Sequence, residues 1–145
     1  MKFQYNDGGR PPIFGKKIGD CVTRAVAIAT GLPYLAVYDA LSEGTRSERL
    51  TKGTCRRYTA GHGVYTSRVW FKRFMTSLGW VWTPTMGIGT GCKVHLRDGE
   101  LPLGRLIVSV SRHYVAVIDG VLHDTYDCSR NGKRCVYGYW SKQLS

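Results

Sequence analysis

A cysteine, a histidine and an aspartate stand in an order that suits thiol chemistry. Cys21 opens the apolar stretch Val22-Thr23-Arg24-Ala25-Val26-Ala27-Ile28-Ala29. Far downstream, His113 opens the run Tyr114-Val115-Ala116-Val117-Ile118, and Asp124 ends the next run, Val121-Leu122-His123. Thiolate is the nucleophilic form of cysteine, and a helix N-terminus or a neighbouring imidazolium lowers the thiol pKa. His113 is expected to take the thiol proton and to return one to a leaving group. Asp124 is expected to hold the tautomer and orientation of that imidazole. The backbone N–H of Cys21, free at a helix start, would form half of an oxyanion hole.

Local geometry selects the acid. Asp119-Gly120 between two apolar runs is a two-residue hairpin signal. That turn pairs Ile118 with Val121, Val117 with Leu122 and Ala116 with His123. Side chains alternate between faces along a strand, and paired residues share a face. His113, Val115, Val117, Leu122, Asp124 and Tyr126 then fall together, with His113 and Asp124 as diagonal neighbours. His123 and Asp127 fall on the other face, and a one-residue slip would reverse the choice.

The elements that must position these residues read as helices first and strands second. Val22, Ala25, Val26 and Ala29 form one stripe of a helix from about Asp20 to Thr30. Asp20 suits its N-cap and Gly31 its C-terminal stop. Pro33 starts a second helix over Tyr34 to Leu41, and a third spans about Thr66 to Leu78. Residues 42–65 read as a basic irregular insertion, and 1–19 as a Gly/Pro-containing lead-in. Strands are expected at Trp80 to Trp82, Arg105 to Ser111, Tyr114 to Ile118, Val121 to Tyr126 and Cys135 to Trp140. The Gly-rich stretch Thr85 to Cys92 reads as a loop, without the spacing of a phosphate-binding motif. The expected class is α+β, with N-terminal helices packed on a C-terminal antiparallel sheet. The 145 residues fit one domain, 1–145.

The chain carries a net charge of +11 and is 43% hydrophobic, too apolar for a disordered chain. From Glu43 to Arg73, eight basic residues face two acids: Arg46, Arg49, Lys52, Arg56, Arg57, Arg68, Lys72 and Arg73 against Glu43 and Glu48. Such a patch favours anionic partners, either an acidic substrate steered to a cleft or nucleic acid. No motif that reads nucleic acid accompanies it. No apolar run approaches the ~20 residues that cross a membrane, and the first residues lack a signal-peptide pattern. A cytoplasmic protein with no membrane partner is expected. The five cysteines, Cys21, Cys55, Cys92, Cys128 and Cys135, are odd in number and irregularly spaced, which argues against a disulfide framework. Cys128 and Cys135 are expected to face each other as reduced thiols across a hairpin turning at Asn131-Gly132. Ligands drawn from Cys55, Cys92, Cys128 or Cys135 with His95 lack finger-like spacing. No metal and no cofactor are expected.

These residues resemble the papain-like cysteine peptidase superfamily, especially its small NlpC-like members. The matches are Asp20-Cys21 at a helix start, His113 to Ile118, and Asp124. The resemblance implies a papain-like fold and Cys-His-Asp acyl-transfer chemistry, and it leaves residues 42–95 unmatched. The superfamily usually supplies an oxyanion-hole glutamine shortly before the cysteine, and Phe14 to Gly19 contains none. Asn6, and after it Gln4, are the nearest amides for that role. The stretches Asn6 to Arg10, Gly19 to Ala25 and His123 to Cys128 also resemble a family of uncharacterised bacterial and phage proteins, which implies no function. The leading expectation is a hydrolase of peptide, isopeptide or amide bonds, acting on a peptide or protein. The alternatives are an acyltransferase or transglutaminase-like enzyme on the same triad, and an inactive basic module that binds nucleic acid or an acidic protein.

Overall fold

Helix α1, Cys21–Thr30, lies across the sheet and is buried along nearly its whole length. The apolar stripe alone would bury one side. The other side is closed by α2, Tyr34–Arg46, and by the segment leading out of β1, Lys2–Tyr5. Gly8 makes that closure possible. It sits at φ 71°, and a Cβ there would lie 3.3 Å from the carbonyl oxygen of Arg24. Gly31 ends α1 in the left-handed conformation and donates its N–H to the Ala27 carbonyl. The structure, a computed structural model, describes residues 1–14, 19–48 and 59–142.

The remaining elements are α3, Val69–Ser77, and the strands β2 Trp80–Pro84, β3 Arg105–Val110, β4 His113–Ile118, β5 Val121–Asp124 and β6 Val136–Lys142. Short 3₁₀ turns occupy Pro12–Phe14 and Ala60–His62. The strands form one six-stranded sheet in the order β1-β5-β4-β3-β6-β2. The class is α+β, as expected, but the sheet is mixed rather than antiparallel. Residues Lys2–Tyr5 form a strand parallel to β5, with Tyr5 opposite Asp124. Their exposed side chains give no alternating apolar pattern, so the sequence reads as a lead-in.

The Asp119-Gly120 turn has the expected register: Ile118 pairs with Val121, Val117 with Leu122 and Ala116 with His123. Both turn residues have positive φ, as a type I′ hairpin turn requires. One core lies between the helices and the sheet, where Val22, Val26 and Leu41 meet Phe71, Met75, Ile107 and Ala116. A second core covers the opposite face with Leu96, Leu106, Val108, Val115, Val117 and Leu122.

The end of the second helix differs from the sequence reading. Helix α2 continues through Arg46 rather than stopping at Leu41. Leu41, Ser42 and Thr45 are buried, so tertiary contacts extend a helix that Gly44 would weaken. Gly44 is required by packing, since a Cβ there would meet the Trp70 ring at 2.3 Å. The cysteine expectation also changes. Cys135 is bonded to Cys92, not set against Cys128, with Cα atoms 5.8 Å apart. His95 bridges Cys135 across the backbone, which draws the glycine-rich loop onto the start of β6. Cys128 remains a free, buried thiol, and Cys55 lies outside the described residues.

Candidate active site

The site assembles where the first turn of α1 meets the beginning of β4 and the end of β5. Arg112, at φ 55°, turns the chain sharply between β3 and β4 and delivers His113 at the first position of its strand. The His113 Nε2 lies 2.6 Å from Asp124 Oδ2. Both side chains are nearly buried, at 8% and 3% exposure. The other carboxylate oxygen, Oδ1, accepts from the Thr125 N–H at 2.7 Å and from Arg24 Nη2 at 3.2 Å. Asp124 is therefore oriented from both sides. With Nε2 turned to Asp124, Nδ1 is the ring nitrogen left for a thiol.

Cys21, partly exposed, lies near the His113 side chain and the backbone N–H of Tyr114, and both act on its thiol. Burial raises its pKa, but the neighbouring His113 imidazole, the Tyr114 N–H and the Arg24 charge outweigh burial and hold the thiol below its usual value. For His113, burial acts downward. Its hydrogen bond to Asp124 and the nearby Cys128 and Cys21 thiols prevail and push it up to about 12. Burial raises Asp124, while His113, the Thr125 N–H and Arg24 bring it below the ordinary carboxylate value. The arrangement favours a thiolate beside an imidazolium, with a carboxylate behind the ring.

Asp20 precedes the thiol in sequence, and an adjacent carboxylate opposes thiolate formation. It does not act as a side-chain N-cap. Its carboxylate, fully buried, is drawn to Arg10 at 3.1 Å, to Arg24 and to the Tyr34 hydroxyl at 2.7 Å. Two guanidinium groups thus offset its charge. Its carbonyl still accepts the first helical bond, from the Arg24 N–H. Sequence reading missed Arg10, Arg24, Tyr34 and Cys128 as members of this site. A basic residue three places after Cys21, inside an otherwise apolar helix, was the available signal for Arg24.

The two amides considered for an oxyanion hole are engaged elsewhere. Asn6 contacts His123 Nδ1 through Nδ2 at 3.3 Å and accepts from the Gly8 N–H through Oδ1. Gln4 is exposed and donates to the Tyr5 carbonyl. Neither contact involves Cys21. Of the basic patch, Arg46 closes the last turn of α2, while Arg49, Lys52, Arg56 and Arg57 lie outside the described residues.

A groove of about 580 Å³ opens between α3 and the sheet. Its walls include Trp80, Trp82, Trp140 and Tyr114, with Lys72 as a cation on its lining. Trp82 and Trp140 face each other across β2 and β6 with ring centres 5.3 Å apart. Tyr114 joins groove and thiol, because its side chain lines the one while its N–H acts on the other. No helix among the described residues is long and apolar enough to cross a membrane. Comparison with protein families, curated proteins and solved structures gives no significant match to this chain.

Proposed function

We propose that this protein is a papain-like cysteine hydrolase that cleaves a peptide, isopeptide or amide bond through Cys21, His113 and Asp124. The observation that carries the reading is the placement of the imidazole: His113 bonds the Asp124 carboxylate, and the Cys21 thiol lies near enough for each to shift the other's ionisation. In this reading the Cys21 thiolate attacks the carbonyl carbon, and the new oxyanion is met by N–H groups left free at the start of α1. His113 gives its proton to the departing amine, leaving an acyl-thioester. Water, deprotonated by His113, then releases the acid and restores the thiol. The tryptophan-lined groove supports a substrate with a large apolar or aromatic group beside the scissile bond. Lys72 in its wall supports a nearby acidic group.

The test is acylation by peptide-based thiol-directed probes carrying an aromatic residue, followed by hydrolysis of the matching fluorogenic amides. Modification confined to Cys21, with turnover lost in Cys21→Ala and His113→Ala, is the expected result. Probe labelling that ignores His113→Ala, or turnover that survives Cys21→Ala, would overturn the reading.

A further inference from the structure

Cys128 has no part in the chemistry above, yet its thiol reaches the base of that chemistry. One ligand atom each from His113, Asp124 and Cys128 lies within 4.8 Å of the other two. They come from the start of β4, the end of β5 and the turn that follows it. Cys128 is 2% exposed, and its thiol faces both His113 and Asp124. An imidazole nitrogen, a carboxylate oxygen and a sulfur form a donor set that suits a thiophilic divalent cation, whereas calcium and magnesium favour oxygen alone. The surroundings also fit. Arg24 and the Thr125 N–H hold Asp124 Oδ1, which leaves Oδ2 directed at His113. Hydrogen-bonded ligating carboxylates of this kind are usual around metal sites.

We propose that His113, Asp124 and Cys128 form a site for one zinc-class divalent cation, and that its occupancy at His113 Nε2 withdraws the imidazole from proton exchange with Cys21. Binding replaces the proton shared by His113 and Asp124 and the thiol proton of Cys128, and both protons leave to solvent. The withdrawal of His113 rests on the hydrolase reading; the binding site does not.

Cobalt(II), which reports thiolate ligands through charge-transfer absorption, is titrated into the full chain and two variants. Wild type and Cys21→Ser are expected to show the band at one equivalent, and Cys128→Ala to lose it. Should Cys128→Ala not fold, Cys128→Ser, of near-equal volume, carries the same test. A band that persists without Cys128, or that disappears with Cys21→Ser, overturns the site. In a second arm, zinc is expected to slow iodoacetamide alkylation of Cys21 in wild type and not in Cys128→Ala. Equal protection of both would put the cation on Cys21 and His113 and sink the proposal. Cobalt binding without protection would overturn the withdrawal of His113. A Cys21 that is unreactive without metal would count against the hydrolase, while the cobalt arm still reads the site.

Discussion

Arg24 Nη2 lies 3.2 Å from Asp124 Oδ1, and Arg24 Nη1 pairs with Asp20. One guanidinium therefore ties the helix that carries Cys21 to the strand that carries the acid. A planar fork can span two carboxylates in a way that an ammonium cannot. Arg24→Gln is expected to destabilise the fold by about 3 kcal/mol, because it leaves Asp124 buried beside the lost charge. Arg10→Gln should cost less, since Asp20 keeps Arg24 and Tyr34. Denaturant unfolding of the two variants checks the order, and a larger loss for Arg10→Gln would contradict the bridging role.

The lowered pKa of Cys21 sets its labelling profile. Iodoacetamide should alkylate it with a midpoint below the ~8.5 of an ordinary thiol. His113→Ala removes the imidazole that lowers the pKa most, leaving burial to raise it against the Tyr114 N–H and Arg24. The midpoint should therefore move upward. Mass spectrometry of labelled peptides across the pH range reads this directly, and an unchanged midpoint would separate His113 from the thiol.

Asp124 makes a distinct acid limb in stability. Its folded pKa is lowered, so its contribution is present above the unfolded value of ~3.9. That contribution is lost as pH falls through the depressed folded value. Asp124→Asn should be clearly less stable than wild type at neutral pH, with the gap closing in strong acid. A constant gap at every pH would show that ionisation of Asp124 does not support the fold.

Gly138 backs the tryptophan pair. A Cβ there would lie 2.3 Å from the Trp82 ring and 2.9 Å from the Thr83 carbonyl oxygen. The ring can turn, but the paired backbone of β2 cannot easily yield. Gly138→Ala should cost about 1–3 kcal/mol as an overpacked site, and should quench or shift the tryptophan emission that reports the groove. A variant with wild-type stability and emission would mean that β2 shifts freely.

The Cys92–Cys135 bond closes a sequence separation of 43 residues. By loop-closure entropy, its loss through Cys92→Ser should cost up to about 4 kcal/mol. Peptide mapping without reductant should recover the two residues linked. Recovery of Cys135 linked to Cys128 instead would contradict the Cys92–Cys135 bond.

Much of the site was legible because it depends on local rules. The positive-φ Asp119-Gly120 turn sets the register, the register puts His113 and Asp124 on one face, and a face is fixed by strand geometry alone. The helix at Cys21 follows from its stripe and from Gly31. What the sequence could not reveal came from long-range pairing. Nothing in Lys2–Tyr5 marks a strand parallel to β5, since its register is imposed by a partner more than a hundred residues away. The role of Arg24 depends on the distance between α1 and β5, which no spacing encodes. The same holds for Cys135, which hairpin proximity offers to Cys128 and the folded loop delivers to Cys92. Sequence determined the thiol, the imidazole, the acid and the hairpin that aligns two of them. Tertiary structure alone decided how the buried charges around them are offset, because that requires groups from separate elements to leave water together.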